Sequence, residues 1–181
     1  MTSAIFLAVS ESLRSWGVCG GAVGQVLSWS MELSRALCFL HNCNPVIIHR
    51  DLKPANILLA DGEKVRITDF GVSKLMTGGS DVTSSGELVG TPHYMPPEQA
   101  GGSSLPVSAA SDIYSIGAVL YAMLTGRPPF VAASPVEVVG QVVAKQPIRP
   151  SALIPSVPHE LEVITLKCLN KKPADLSLIH I

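Results

Sequence analysis

The sequence predicts an α+β fold, mostly helical, with a single short β-hairpin, and three observations lead there. Apolar residues recur at three- and four-residue intervals over residues 25–42 and again from Ile113 to Met123, the period of helices with a buried face. Two short apolar runs, Ile57-Leu58-Leu59 and Val65-Arg66-Ile67, flank the turn pair Asp61-Gly62. Between these regions, residues 72–97 are rich in Gly, Ser, Thr and Pro and have no periodicity, which predicts a long loop of the kind that is usually functional.

Taken in order, Val26, Leu33, Leu37 and Leu40, with Trp29 and Ala36 beside them, place a helix over residues 25–42 that ends near Asn42 and Asn44-Pro45. Val46-Ile47-Ile48 then reads as a short buried strand. The hairpin follows, with Asn56 just before its first strand and Asp69 just after its second, so the two side chains return to one edge. Regular structure resumes at Ser111-Asp112 with a helix apolar on most faces, closed by Thr125-Gly126 and a turn at Pro128-Pro129-Phe130. Ser134-Pro135 supplies an N-cap and a first-turn proline for a helix to about Lys145. A proline-rich connector over 147–158 leads to a last helix from Glu160 to Leu169.

With 181 residues, 47% of them hydrophobic and 15% charged, the chain is long enough for one domain with a real core. A net charge of −1 with both signs scattered offers no basic stripe for nucleic acid and no polybasic patch for a membrane surface. Residues 1–9 lack the basic n-region of a signal peptide, and the apolar run Ile116–Leu124 is shorter than the roughly 20 residues that span a bilayer. Cys19, Cys38, Cys43 and Cys168 form no C-x-x-C pair, which suits reduced thiols and a cytoplasmic location. Cys38, His41 and Cys43 lie close together, but as a helix end rather than a metal site, because a fourth ligand at the usual spacing is missing.

The chemistry is carried by His49-Arg50-Asp51-Leu52-Lys53-Pro54-Ala55-Asn56 and by Asp69-Phe70-Gly71. An acid able to accept a hydroxyl proton, an amide oxygen five residues on and a second carboxylate beyond a hairpin can converge on one magnesium-bound phosphate group. On these motifs the chain resembles a protein kinase of the serine/threonine type from about Leu27 to Asp175. The resemblance implies the mostly helical large lobe of the protein-kinase fold, truncated at both ends: residues 1–24 unassigned, 25–175 the lobe itself, and 176–181 an artefactual tail.

It also implies roles. Asp51 is the catalytic base, and Lys53 reaches the transferred phosphate, as serine/threonine-specific members have it. Asn56 and Asp69 hold Mg²⁺, a hard cation that takes oxygen ligands, and Leu58 touches the adenine ring of ATP. Thr91 matches the threonine that bonds the catalytic aspartate and lysine. Arg50 is placed to pair with a phosphate near Thr83, Ser84 or Ser85 in the activation segment. His49 and Phe70 pack beneath the site, and Asp112 binds the backbone of the His49 loop. Glu98 stands where the family has a glutamate paired with a buried arginine, but Leu176 occupies that arginine's place; a buried carboxylate left alone costs about 3–5 kcal/mol.

The expected substrates are ATP and a protein with a Ser or Thr acceptor. Residues before His49 contain neither a Gly-rich loop nor a strand lysine, so the chain by itself is expected to be a poor catalyst. Two other readings are a truncated docking or dominant-negative module and a small-molecule phosphotransferase. The first has no need for Asp51, Asn56 and Asp69 together; the second does not share Lys53 or the stretch from Gly90 to Glu98.

Overall fold

The computed structural model describes residues 23–60, 64–70, 92–101, 106–172 and 176. Among them are five α-helices and one two-stranded antiparallel sheet, as the α+β expectation has it: α1 (Val23–His41), β1 (Ile57–Ala60), β2 (Lys64–Ile67), α2 (Ala109–Thr125), α3 (Pro135–Ala144), α4 (Pro150–Leu153) and α5 (His159–Cys168).

The first helix buries the face its periodicity marks out: Val26, Trp29, Leu33, Leu37 and Leu40 all point inward. Its mid-helix serines do not compete with the helix, since the Ser30 and Ser34 hydroxyls donate to the carbonyls four residues back at 2.6 and 2.8 Å. The central element is α2, whose Tyr114, Ala118, Val119, Tyr121 and Ala122 are each at most 1% exposed. A helix apolar all round must be covered on every side, and α1, α4, α5 and the 3₁₀ turn Pro92–Tyr94 do so. It opens on a capping box between Ser108 and Ser111 and closes at Gly126, whose φ of 73° is the left-handed conformation that ends helices.

Most buried apolar residues join one core around α2. A smaller cluster of Leu37, Leu40 and Leu52 sits between α1 and α2, with Ile67 and Ile116 packed against it. This second cluster matters for the site, because Leu52 follows Asp51 directly. Burying such a side chain is worth about 1.5–3 kcal/mol, which pins the loop to the helices.

Four expectations need correction. Val46-Ile47-Ile48 forms no strand: Val46 is 56% and Ile47 40% exposed, the Ile47 N–H donates to the Leu40 carbonyl at the end of α1 at 3.1 Å, and the sheet consists of β1 and β2 alone among the described residues. The one-turn helix α4 lies inside the connector expected to be irregular; Pro150 sets its first turn, and the Glu162 carboxylate accepts the Ser151 N–H at 2.7 Å. Phe70 is 42% exposed rather than a core residue, although its ring lies 4.9 Å from that of the fully buried His49. Leu176, assigned to a tail foreign to the fold, is 3% exposed and belongs to the main core. Among the described residues no helix is long and apolar enough to cross a membrane.

Candidate active site

The loop from His49 to Asn56 is held at both ends by buried polar bonds. The carboxylate of Asp112, 1% exposed in the first turns of α2, accepts the backbone N–H of His49 on Oδ2 and that of Arg50 on Oδ1, each at 2.9 Å. His41, the last residue of α1, places its Nε2 2.8 Å from the same Oδ2. The His49 ring accepts the Asp51 N–H on Nδ1 at 3.3 Å and contacts the Thr68 carbonyl through Nε2 at 3.0 Å. Both bonds hold together when the proton is on Nε2, so this imidazole ties the start of the loop to the end of β2.

Arg50 adopts a φ of 70°, a left-handed backbone that a non-glycine residue rarely takes outside a constrained site. Its N–H is held by Asp112, and its carbonyl accepts the Gln99 side-chain amide at 3.2 Å. Lys53, preceding a proline, is extended (φ −156°, ψ 163°), and Pro54 then starts a 3₁₀ turn that carries Asn56 back toward Asp51. The result is a compact cluster: Lys53 Nζ lies 2.7 Å from Asp51 Oδ2, and the Asn56 amide donates to Asp51 Oδ2 at 3.0 Å and to the Asp51 carbonyl at 2.8 Å.

The hairpin sets Asp69 one residue beyond the backbone partner of Asn56. With Ile57 opposite Ile67, Asn56 faces Thr68, whose N–H donates to the Asn56 carbonyl at 2.9 Å; Asp69 is the next residue. Asp69 is exposed, with a φ of 55°, and its side chain makes no hydrogen bond or ion pair among the described residues. Asn56 is 5% exposed, and its amide nitrogen is engaged by Asp51, which leaves the amide oxygen as its remaining donor atom for a ligand. Leu58 is 51% exposed.

Beside the loop, residues 92–101 form the far wall of a shallow recess, with Tyr94, Met95 and Gln99 facing Arg50, Asp51 and Lys53. The buried Tyr94 hydroxyl has no hydrogen-bond partner among the described residues, and burial pushes it well above the usual phenol range. Glu98 is not the bare buried carboxylate expected from the missing arginine. It is half-buried and accepts the Ser111 hydroxyl at 2.6 Å, so the α2 capping box also holds this segment. A cation does reach the nearby Tyr114: Lys171 donates to the Tyr114 hydroxyl at 3.2 Å and sits 4.2 Å from the Phe130 ring centroid. Desolvation, followed by the charge of Glu98, drives the Tyr114 hydroxyl well above its ordinary range.

Thr83, Ser84, Ser85 and Thr91 lie outside the described residues. Sequence reasoning did not find Gln99, whose contact with Arg50 spans 49 residues, and it read His41 only as part of a helix end.

A family model described as protein kinase domain matches residues 21–176. Among curated proteins, the chain is 42% identical over 149 residues to serine/threonine-protein kinase PknB of Mycobacterium leprae, covering 82% of this chain and 23% of that protein. It is 45% identical over 143 residues to the PknB of Mycobacterium tuberculosis, covering 78% and 22%. To the probable serine/threonine-protein kinase SCO3848 of Streptomyces coelicolor it is 41% identical over 150 residues, covering 82% and 22%. The chain thus spans between a fifth and a quarter of the length of the relatives it matches.

Proposed function

This chain belongs to the protein kinase family, and from that premise we propose that the intact protein transfers the γ-phosphoryl group of ATP to serine and threonine hydroxyls of protein substrates. The observation that carries the proposal is the cluster of Asp51, Lys53 and Asn56, because a docking module has no use for a carboxylate held by both an ammonium and an amide.

On this reading Asp51 orients the substrate hydroxyl and accepts its proton, and the Asn56 amide fixes the rotamer in which it does so. Lys53, held 2.7 Å from Asp51, sets a positive charge beside the path of the transferred phosphate. The Asn56 amide oxygen and the Asp69 carboxylate form a hard oxygen donor pair suited to Mg²⁺, which typically takes one or two protein ligands alongside nucleotide phosphates. Bound there, the ion supplies neutralisation of phosphate charge. Leu58 offers an apolar surface to the adenine ring, and the recess between Arg50–Lys53 and Tyr94–Gln99 receives the peptide around the acceptor residue. Arg50 pairs with a phosphate added near Thr83, Ser84 or Ser85, Thr91 bonds Asp51 and Lys53, and Glu98 steadies the activation segment. The unpaired thiols of Cys38 and Cys43 fit a reducing, cytoplasmic setting for this domain.

The test is transfer from γ-labelled ATP to serine, threonine and tyrosine peptide panels by the full-length gene product. D51N should lower kcat by about 10²–10⁴-fold, the typical share of a general base. D51N at the wild-type rate, or label confined to tyrosine peptides, overturns the assignment.

A further inference from the structure

We propose that Gln99 is a positioning residue for Asp51, acting through the Arg50 carbonyl, so that the segment walling the peptide recess also aims the base; the inference rests on the kinase reading above. The peptide unit that joins Arg50 to Asp51 has two polar ends. Its N–H reaches Nδ1 of His49, within the same loop, at 3.3 Å. Its carbonyl accepts the Gln99 side-chain amide at 3.2 Å and has no other hydrogen-bond partner among the described residues. A carbonyl can be met only by the nitrogen side of an amide, which fixes how Gln99 is turned. One end of the peptide is thus tied inside the loop, and the other to a segment 49 residues away.

Because the Asp51 backbone begins at this peptide, the tilt of its plane sets the direction in which the carboxylate leaves the chain. That plane does not hold itself. Arg50 has a φ of 70°, and a left-handed non-glycine residue persists only where its surroundings keep it there. Asp112 secures the N–H on the near side of this residue, whereas Gln99 secures the carbonyl on the far side, between the strain and the base. Gln99 can do so because its own backbone is set. Its N–H and that of Ala100 both reach the Pro96 carbonyl at 3.0 Å, Pro96 and Pro97 are buried, and the adjacent Glu98 is held by the Ser111 hydroxyl at 2.6 Å. Tyr94, Met95 and Gln99 line the recess together. A wall drawn away from the loop therefore leaves the Arg50 carbonyl without its donor and frees the peptide plane to turn. In this role Gln99 acts on the base through the backbone and not through the substrate.

A glutamine that only lines the recess predicts a different result, with the peptide KM raised and turnover intact. The experiment is steady-state kinetics on the full-length gene product carrying Q99M, Q99H and Q99E, with Tm measured for each. Q99M keeps the length of the side chain but has no donor. It should lower kcat about three- to tenfold, the worth of one neutral hydrogen bond, while KM for ATP and for peptide stay within about twofold of wild type. Q99H returns a ring N–H as many bonds from the backbone as the lost amide and should recover most of kcat. Q99E keeps the shape but turns an ionised acceptor on the carbonyl, so its kcat should fall below that of Q99M. The expected order is Q99H above Q99M above Q99E. Wild-type kcat in Q99M, any other order, or a change confined to the peptide KM would each overturn the proposal. If Q99E fails to fold, Q99M against Q99H decides. D51N is run beside them: an enzyme silenced by D51N but indifferent to Q99M removes only the Gln99 inference, whereas wild-type activity in D51N removes the kinase reading itself.

Discussion

Arg50 and Asp69 share a left-handed backbone that neither side chain favours, and each such residue costs about 1–3 kcal/mol that its surroundings must offset. At Arg50 the offset comes largely from Asp112, which satisfies two N–H groups at the start of the loop. Asp112→Ala leaves both donors facing a site with no acceptor, and each unsatisfied buried group costs about 1–3 kcal/mol. The variant is therefore expected to lose about 2–6 kcal/mol of stability, read as a lower urea midpoint with an unchanged m-value. The part played by Asp112 follows from resemblance at a single position, and so do Asp51, Lys53 and Asn56, because their spacing is local. Nothing local announces His41 or Gln99. Their partners are 71 and 49 residues away, and hydrophobic periodicity carries no information about which polar side chains meet across the core.

At the level of elements, α2 and α5 cross closely because residue 117 is glycine. A Cβ built there would stand 2.5 Å from the Cys168 Cβ and 3.2 Å from its carbonyl carbon, so the contact involves backbone that cannot swing aside. Gly117→Ala is expected to destabilise the protein by about 1–3 kcal/mol, the usual range for overpacking, seen as a fall in Tm. Cys168→Ala does not relieve it, since alanine keeps the offending atom; Cys168→Gly in the Gly117→Ala background does. Helices α1, α2, α3 and α5 were legible from apolar spacing and from the signals at Gly126 and Ser134-Pro135. The hairpin was legible from its two apolar runs. Residues 46–48 were misread because an apolar β-branched run specifies an extended chain and not the partner that makes it a strand. α4 was missed because a single turn is shorter than any periodicity can register.

For the molecule as a whole, the buried titratable groups tie stability to pH. Burial lowers Lys171 from 10.5 to about 8, so the folded state gives up this proton more readily than the unfolded one. Between about pH 8 and 10.5 the unfolded chain then binds more protons, and the Lys171 contribution to stability rises with pH. Burial acts in the opposite sense on Cys168, raised from 9.0 to about 11, whose contribution falls with pH above 9.0. Comparison with Lys171→Met separates the two: the stability of wild type relative to that variant should climb across pH 8–10.5 in denaturant titrations, and a flat difference would show that the ammonium is not desolvated. Glu162 behaves as an acid-side counterpart. The Ser151 hydroxyl and N–H hold its carboxyl below the usual range, so its contribution is present above pH 4.5 and is lost as pH falls through the lowered value.

The hairpin shows how an acidic side chain guards a short sheet. Glu32, on α1, receives the Val65 N–H at 2.8 Å. Two strands expose hydrogen-bonding margins that invite a passing polypeptide to anneal, the first step toward intermolecular β-assembly. By occupying the Val65 amide, the helix closes that margin to foreign backbone at this point, so the ribbon carrying Asn56 and Asp69 is buttressed against recruitment into aggregates on that side.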